Sequence, residues 1–221
     1  MQIPKRIQCI GELIPEGANI ADIGADHGLL EQFIAHHLKH YKILAVENKL
    51  GPLAALHESV DCLENVFVSH SDGLNQLTSE YDTIVLAGMG GDNIIDILSK
   101  NKNKLKHVNR IIVDAHSFIP KVREEIIKYG FNIECEKIVY EKRIYYIVIS
   151  FIRNGNKENY SKDEIEFGYK IYLDPLYEDY KNHIIKHYKS VSKKLENSKK
   201  NKDKYLEMLD YIRRFESYGQ N

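Results

Sequence analysis

Ala21-Asp22-Ile23-Gly24-Ala25-Asp26-His27-Gly28 is the stretch on which the reading of this chain turns. It follows Asn19-Ile20 and precedes apolar residues at helical spacing, Leu29, Leu30, Phe33, Ile34 and Leu38. The pattern is a short apolar strand, a tight turn and a helix start. Gly24 and Gly28 allow the backbone to turn sharply and to approach a ligand closely. Asp22 stands at the strand end as a hydrogen-bond acceptor, with a helix N-terminus nearby. The spacing is neither the dinucleotide G-x-G-x-x-G nor a P-loop. A plain strand-to-helix turn reads the same way, so the stretch draws its weight from the strands downstream of it.

Outward from this turn the same arrangement repeats. Ile43-Leu44-Ala45-Val46 is a second strand that ends at Glu47-Asn48, before a helix opened by Gly51-Pro52. A carboxylate about twenty residues beyond the first turn is where a Rossmann-like fold grips a ribose cis-diol. Val66-Phe67-Val68 leads to Ser71-Asp72-Gly73, where a carboxylate can accept from an adenine amino group; an Asp-Gly turn is the competing reading. Thr83-Ile84-Val85-Leu86 leads to Ala87-Gly88-Met89-Gly90-Gly91, and Arg110 to Val113 leads to Asp114-Ala115-His116-Ser117. Ile133 to Tyr140 and Ile144 to Ile152 flank Glu141-Lys142-Arg143, a short polar link that makes an antiparallel hairpin. Strands alternating with helices and ending in a hairpin predict a doubly wound, mostly parallel sheet with one antiparallel strand. Ligands in such sheets sit outside the carboxyl ends of the strands. Asp22, Asp26, Glu47, Asp72, Gly88 and Asp114 all fall at those ends, and together they carry more than any one alone. Ahead of the first strand, residues 5 to 14 read as a helix, with Lys5 and Arg6 at its start.

Composition sets the bounds. The chain has 221 residues, of which 43% are apolar, enough for a core in one domain plus an extension. Cys9, Cys62 and Cys135 show no metal spacing and read as reduced thiols. No secretory h-region stands at the N-terminus, and no apolar run is long enough to span a bilayer, so a cytoplasmic protein without a membrane partner is expected. Residues 1–155 form the expected sheet domain and residues 156–221 a helical extension.

In the extension, Ile184, Tyr188, Val191 and Leu195, then Tyr205, Leu209 and Ile212, repeat at coiled-coil-like spacing. The polar stretch Glu196 to Lys204 reads as the turn between two helices. Lys181, Lys186, Lys189, Lys193, Lys194, Lys199 and Lys200 crowd this region, with Tyr177, Tyr180 and Tyr188 among them. The run is either a solvated face or a phosphate-binding surface with interleaved aromatics.

The turn at residues 22–26 is nearer to Asp-x-Gly-x-Gly, the pattern of class I S-adenosylmethionine (SAM) methyltransferases, with Asp26 in place of the second glycine. The strand order 3-2-1-4-5-7-6 of those enzymes fits the chain. More specifically, the sequence resembles the bacterial tRNA (adenine(22)-N1)-methyltransferase family nearly end to end. Lys5-Arg6-Ile7, Ala21 to His27 with its second Asp, Glu47 with Gly51-Pro52, Asp72-Gly73-Leu74, Ala87-Gly88-Met89-Gly90-Gly91 and Asp174-Pro175 carry the resemblance. It implies a Rossmann-like class I sheet with a C-terminal α-helical, coiled-coil-like extension. It also implies SAM as methyl donor (product S-adenosylhomocysteine) and N1 of an adenine in tRNA as acceptor, with no obligate protein partner. On this reading Asp22, Gly24, His27, Glu47, Asn48, Asp72, Gly73, Gly88 and Met89 hold the cofactor, and Asp26 serves the chemistry. Arg6, His116, Lys193, Lys194, Lys199 and Lys200 meet the RNA. The family commonly has Gln-Pro-Asn after the fifth strand; Asp114-Ala115-His116 stands there in this chain.

Overall fold

The computed structural model describes residues 3–39, 41–196 and 201–220. The chain divides into two compact units, Met1–Asn159 and Tyr160–Asn221. In the first unit the strands are β1 (Asn19–Ile23), β2 (Lys42–Glu47), β3 (Val66–His70), β4 (Thr83–Met89), β5 (Arg110–Ala115), β6 (Asn132–Glu141) and β7 (Ile144–Ile152). They form one seven-stranded sheet in the order β3-β2-β1-β4-β5-β7-β6. The pairs among β1 to β5 are parallel, whereas β7 runs antiparallel to both β5 and β6. The expected order and the single reversed strand are both observed.

The central strands are buried on both faces, which is why they read as unbroken apolar runs. Ile20, Ala21 and Ile23 of β1, Ile43 to Val46 of β2 and Ile84 to Leu86 of β4 all lie in the core. Helices α1 (Lys5–Glu12), α2 (Leu29–His37), α3 (Leu50–Val60), α4 (Gly91–Lys100) and α5 (Ile119–Lys128) connect or cover the strands. The first helix is shorter than its apolar pattern suggested: it stops at Glu12, with Leu13 as its C-cap. Pro52 stands at the third position of α3 and not at its first, because α3 begins at Leu50 with Lys49 as its N-cap.

One side chain locks α5 to the hairpin. Arg123, which is 2% exposed, donates from Nε and Nη2 to the two carboxylate oxygens of Glu136, at 3.0 and 2.7 Å. A forked pair of this kind satisfies both charges in an environment without water.

The second unit holds α6 (Lys162–Phe167), α7 (Tyr177–Leu195) and α8 (Lys202–Ser217). A capping box starts α6: Ser161 accepts from the Glu164 N–H, and the Glu164 side chain accepts from the Ser161 N–H. Its core is aromatic. Phe167 stacks on Phe215 with ring centroids 4.7 Å apart, and Tyr188 on Tyr211 at 4.2 Å. Tyr177 is 2% exposed, and its hydroxyl donates to the Tyr218 carbonyl at 2.9 Å. Lys181 is buried as well, its Nζ 4.9 Å from the centre of the Tyr177 ring. Tyr177, Tyr188 and Lys181 therefore belong to the packing of this unit and not to an exposed aromatic and basic surface. Among the described residues, no helix is long and apolar enough to cross a membrane.

Candidate active site

A cavity of about 460 Å³ opens at the carboxyl ends of β1, β2 and β4. Its wall is built from the turns that follow those strands. After β1 the backbone folds back at once: the N–H groups of Gly24 and Ala25 donate to the Val46 carbonyl at 2.8 and 3.1 Å, tying the first turn to the end of β2. Gly28 ends this turn with φ of 71°, and a Cβ there would lie 2.3 Å from Ser59 Oγ and 2.9 Å from Val60. Only glycine lets α2 start this close to α3.

The structure brings together every residue expected to hold a cofactor. Asp22, Gly24, His27, Glu47, Asn48, Asp72, Gly73, Gly88 and Met89 all line the cavity, as do Asp26 and Arg6. His116 does not line it. It stands exposed just beyond β5, its Nε2 3.8 Å from Asp114 and its ring 5.8 Å from that of Tyr146. Lys193 and Lys194 are exposed in the last turn of α7, within the other unit. Lys199 and Lys200 lie outside the described residues.

Asp26 has an unusual backbone for a residue with a side chain, with φ of 52°. The left-handed conformation costs an ordinary residue on the order of 1 kcal/mol, and glycine would adopt it freely. Capping does not account for the carboxylate. The N-cap of α2 is Gly28, and no side chain caps that helix. The Asp26 side chain is 63% exposed at the cavity, with Oδ1 3.7 Å from His27 Nε2.

Glu47 does more than its position at a strand end implied. Oε1 accepts from the Asn48 and Lys49 N–H groups at 2.9 and 2.8 Å, and Oε2 accepts from the Asp26 N–H at 3.3 Å. One carboxylate thus joins the turn after β1 to the turn after β2. An ionised carboxylate has about four acceptor positions, so capacity is left for hydroxyl donors from a ligand.

Glu31, in the first turn of α2, was invisible to the sequence reading. It is fully buried, and neither carboxyl oxygen has a hydrogen-bond partner among the described residues. Burial, and then the charge of the adjacent Asp22, push its pKa well above the ordinary range. Burial likewise raises Asp22 to about 7; the Glu31 carboxyl offsets part of that rise, and the charge of Glu47 adds to it. None of Asp22, Glu31 and Glu47 forms an ion pair among the described residues. Asp22 and Glu47, which line the cavity, are thus buried carboxylates that no cation of the described residues pairs with, the chemistry of a site for a cationic, hydroxyl-bearing ligand. Among the described residues no cluster of His, Cys, Asp and Glu could hold a metal ion.

Asp114 is the second residue that the sequence placed without explaining. Its carboxylate is fully buried; Oδ2 pairs with the Arg6 guanidinium, while Oδ1 has no hydrogen-bond partner among the described residues. Arg6 also lies over the Tyr146 ring, 5.1 Å from its centroid, and a Cβ on Gly88 would come within 3.3 Å of it. Asp114 and Tyr146 therefore fix Arg6 at the rim. The partners are 108 positions apart, beyond the reach of any local pattern.

A family model described as a methyltransferase domain matches residues 3–149 of this chain. The chain belongs to the methyltransferase-domain family. That match takes in every strand end that lines the cavity. Along its whole length, this methyltransferase chain is also similar to named relatives. It is 27% identical to the tRNA (adenine(22)-N(1))-methyltransferase of Bacillus subtilis (strain 168), over 95% of this chain and 94% of that protein. The crystal structure of the B. subtilis m1A22 tRNA methyltransferase TrmK superimposes with a TM-score of 0.82 at 25% identity, covering 98% of each chain. The structure of M. capricolum TrmK in complex with S-adenosylhomocysteine gives 0.83 at 24% identity and covers 96% of each chain.

Proposed function

We propose that this protein transfers a methyl group from SAM to N1 of an adenine in tRNA, the adenine at position 22. The observation that carries this reading is the end-to-end match: the relative with that activity aligns over 95% of this chain, extension included. A match to the methyltransferase domain alone would leave the acceptor open.

The cavity fits the donor. Two buried carboxylates of its lining, Asp22 and Glu47, form no ion pair among the described residues, and its wall carries acceptors at the ends of β2 and β3. Glu47 is assigned to the ribose hydroxyls, with Asn48 beside it. Asp72, at the Asp72-Gly73 turn, is assigned to the adenine amino group. Asp22, Gly24 and His27 line the side of the first turn, and Gly88 and Met89 the side of β4. SAM, when bound, supplies a methyl group on a positively charged sulfur, which the lone pair of adenine N1 accepts without a covalent enzyme intermediate.

The protein has two tasks beyond holding the donor. It must align the acceptor ring, an effect worth up to roughly 7–11 kcal/mol in ideal intramolecular cases. It must also stabilise the positive charge that the ring acquires. Asp26 is assigned to the second task. Its carboxylate is exposed at the cavity, caps no helix, and holds a backbone conformation that glycine would adopt at lower cost. It accepts a hydrogen bond from the exocyclic amine of the target base, where the growing positive charge makes that amine a stronger donor. Arg6, which lines the cavity, and His116, exposed just beyond β5 and outside that lining, are assigned to the incoming nucleotide. A base in a paired region would have to leave its stack to reach the cavity. Lys193 and Lys194 are assigned to RNA phosphates.

Incubating a tRNA transcript with SAM and the protein, then mapping the product by nuclease digestion and mass spectrometry, tests the reading. One methyl group on N1 of A22 is expected. Transfer to another atom or another nucleotide would contradict it.

A further inference from the structure

The hairpin formed by β6 and β7 does not stop where the parallel strands stop. Asp114, at the end of β5, pairs with Val148 of β7, and Ile144 to Ile147 continue beyond it. Past Ala115, the last residue of β5, that leaves Ile144 to Tyr146, an overhang of about 10 Å at roughly 3.3 Å per residue. It lies on the edge where the cavity opens. The first residues of α1 join the two: the Lys5 N–H donates to Glu141 at 2.9 Å, and Arg6, which lines the cavity, lies over Tyr146.

The tip of this overhang is chemically unlike an ordinary turn. Tyr140 is 44% exposed, and its ring lies 4.5 Å from that of Tyr145, tilted by 36°. The two turn residues are Lys142 and Arg143, both exposed, with φ of 49° and 67°. A two-residue hairpin with both central residues left-handed strongly favours Asn-Gly. Two bulky cations are a costly choice there, and strain of this kind is a pointer to function. Neither cation has an acidic partner among the described residues; Glu141 beside them accepts from the Lys5 backbone. Two unpaired cations and an exposed aromatic ring, on a hairpin that α1 ties to the cavity wall, match a polyanion that also carries flat bases.

We propose that the tip of the β6–β7 hairpin binds the RNA segment flanking the target adenine. Lys142 and Arg143 contact its phosphates, and Tyr140 offers a ring to a neighbouring base. This contact is separate from the lysines of α7, and it rests on the assignment of an RNA acceptor.

A turn replacement tests it. Lys142→Asn combined with Arg143→Gly removes both charges and supplies the residues that this turn geometry prefers. The variant should melt at or above the wild-type temperature and bind SAM equally well. Its affinity for an unmodified tRNA transcript should fall about tenfold near 0.1 M salt, and the slope of log affinity against log salt should flatten by about 1.4–1.8. Tyr140→Ala should also weaken binding, by about tenfold, without changing that slope. Wild-type affinity and slope in the turn variant would overturn the contact while leaving the methylation reading intact. If the wild type binds tRNA through the hairpin but transfers no methyl group, the contact stands and the methylation reading fails. A wild type that binds no tRNA overturns both.

Discussion

The two halves of the sheet treat buried carboxylates in opposite ways. On the β5–β7 side each buried acid has an arginine: Glu136 with Arg123, and Asp114 with Arg6. On the β1–β2 side Asp22, Glu31 and Glu47 form no ion pair among the described residues, although all three are buried. Isolated buried charge is costly, so a group in that position shifts its pKa and stays neutral where it can. Asp22 and Glu31 do so. The paired half is finished as it stands. On the proposed function the unpaired half is assigned to a cation from outside, since SAM carries positive charge on its sulfur and its amine.

The largest effect should fall on the paired half. Arg123→Met removes the guanidinium that neutralises the buried Glu136, which should cost about 3–5 kcal/mol of stability in urea unfolding. Adding Glu136→Leu should recover most of that loss. If the single variant is as stable as wild type, the pair is not what holds α5 to β6.

Next comes Asp26, on the exposed rim of the unpaired half. Asp26→Asn should bind SAM and tRNA nearly as well as wild type, yet slow single-turnover methylation by roughly 10²-fold or more. Stability should hold, because Asp26 caps no helix. A rate within a few-fold of wild type would remove Asp26 from the chemistry.

Glu47→Ala should weaken SAM binding by about 1.5–3 kcal/mol, the range for a hydrogen bond to a charged group. Calorimetry on the folded variant measures this directly. The variant should also lose some stability, since Glu47 ties together the turns after β1 and β2.

The smallest effect is a change of slope. Asp22 rises from an ordinary 3.8 to about 7 in the folded protein. Between those values the folded state holds a proton that the unfolded chain has released. Stability of the free protein should therefore fall as pH rises from about 4 to about 7. Glu31→Gln removes one of the two titrating carboxyls and should make that fall shallower. Thermal melts across the window with equal slopes for both proteins would show that Glu31 takes no part.

This contrast also marks what the sequence could disclose. The strand-turn-helix units were legible because each is local: apolar run, glycine, then helical spacing. Glu47 and Asp72 were legible for the same reason, since each stands at the end of its own strand. The Arg6–Asp114 pair was not, because it joins α1 to β5 through tertiary packing alone. Glu31 looked like any acid in the first turn of a helix, and only the fold shows that it is fully buried beside Asp22. The lysine-rich helix misled in the other direction. Spacing gave the coiled-coil-like stripe, but it could not show that Tyr177 and Lys181 turn into the aromatic core. In the hairpin, Lys142 and Arg143 read only as a polar link until their backbone geometry was seen.

Proton release on SAM binding reports whether the positive charge of the donor sits against Asp22. At pH 6.5 the amine of the ligand stays protonated, while burial keeps far more of Asp22 protonated in the free protein than an ordinary aspartate would be. A cation seated against Asp22 lowers its pKa and expels that proton. Calorimetric titration in two buffers of different ionisation enthalpy should therefore give different binding heats, with the sign of proton release. A binding heat that is the same in both buffers would contradict the account: the unpaired carboxylates would then not be where the positive charge of the donor is held.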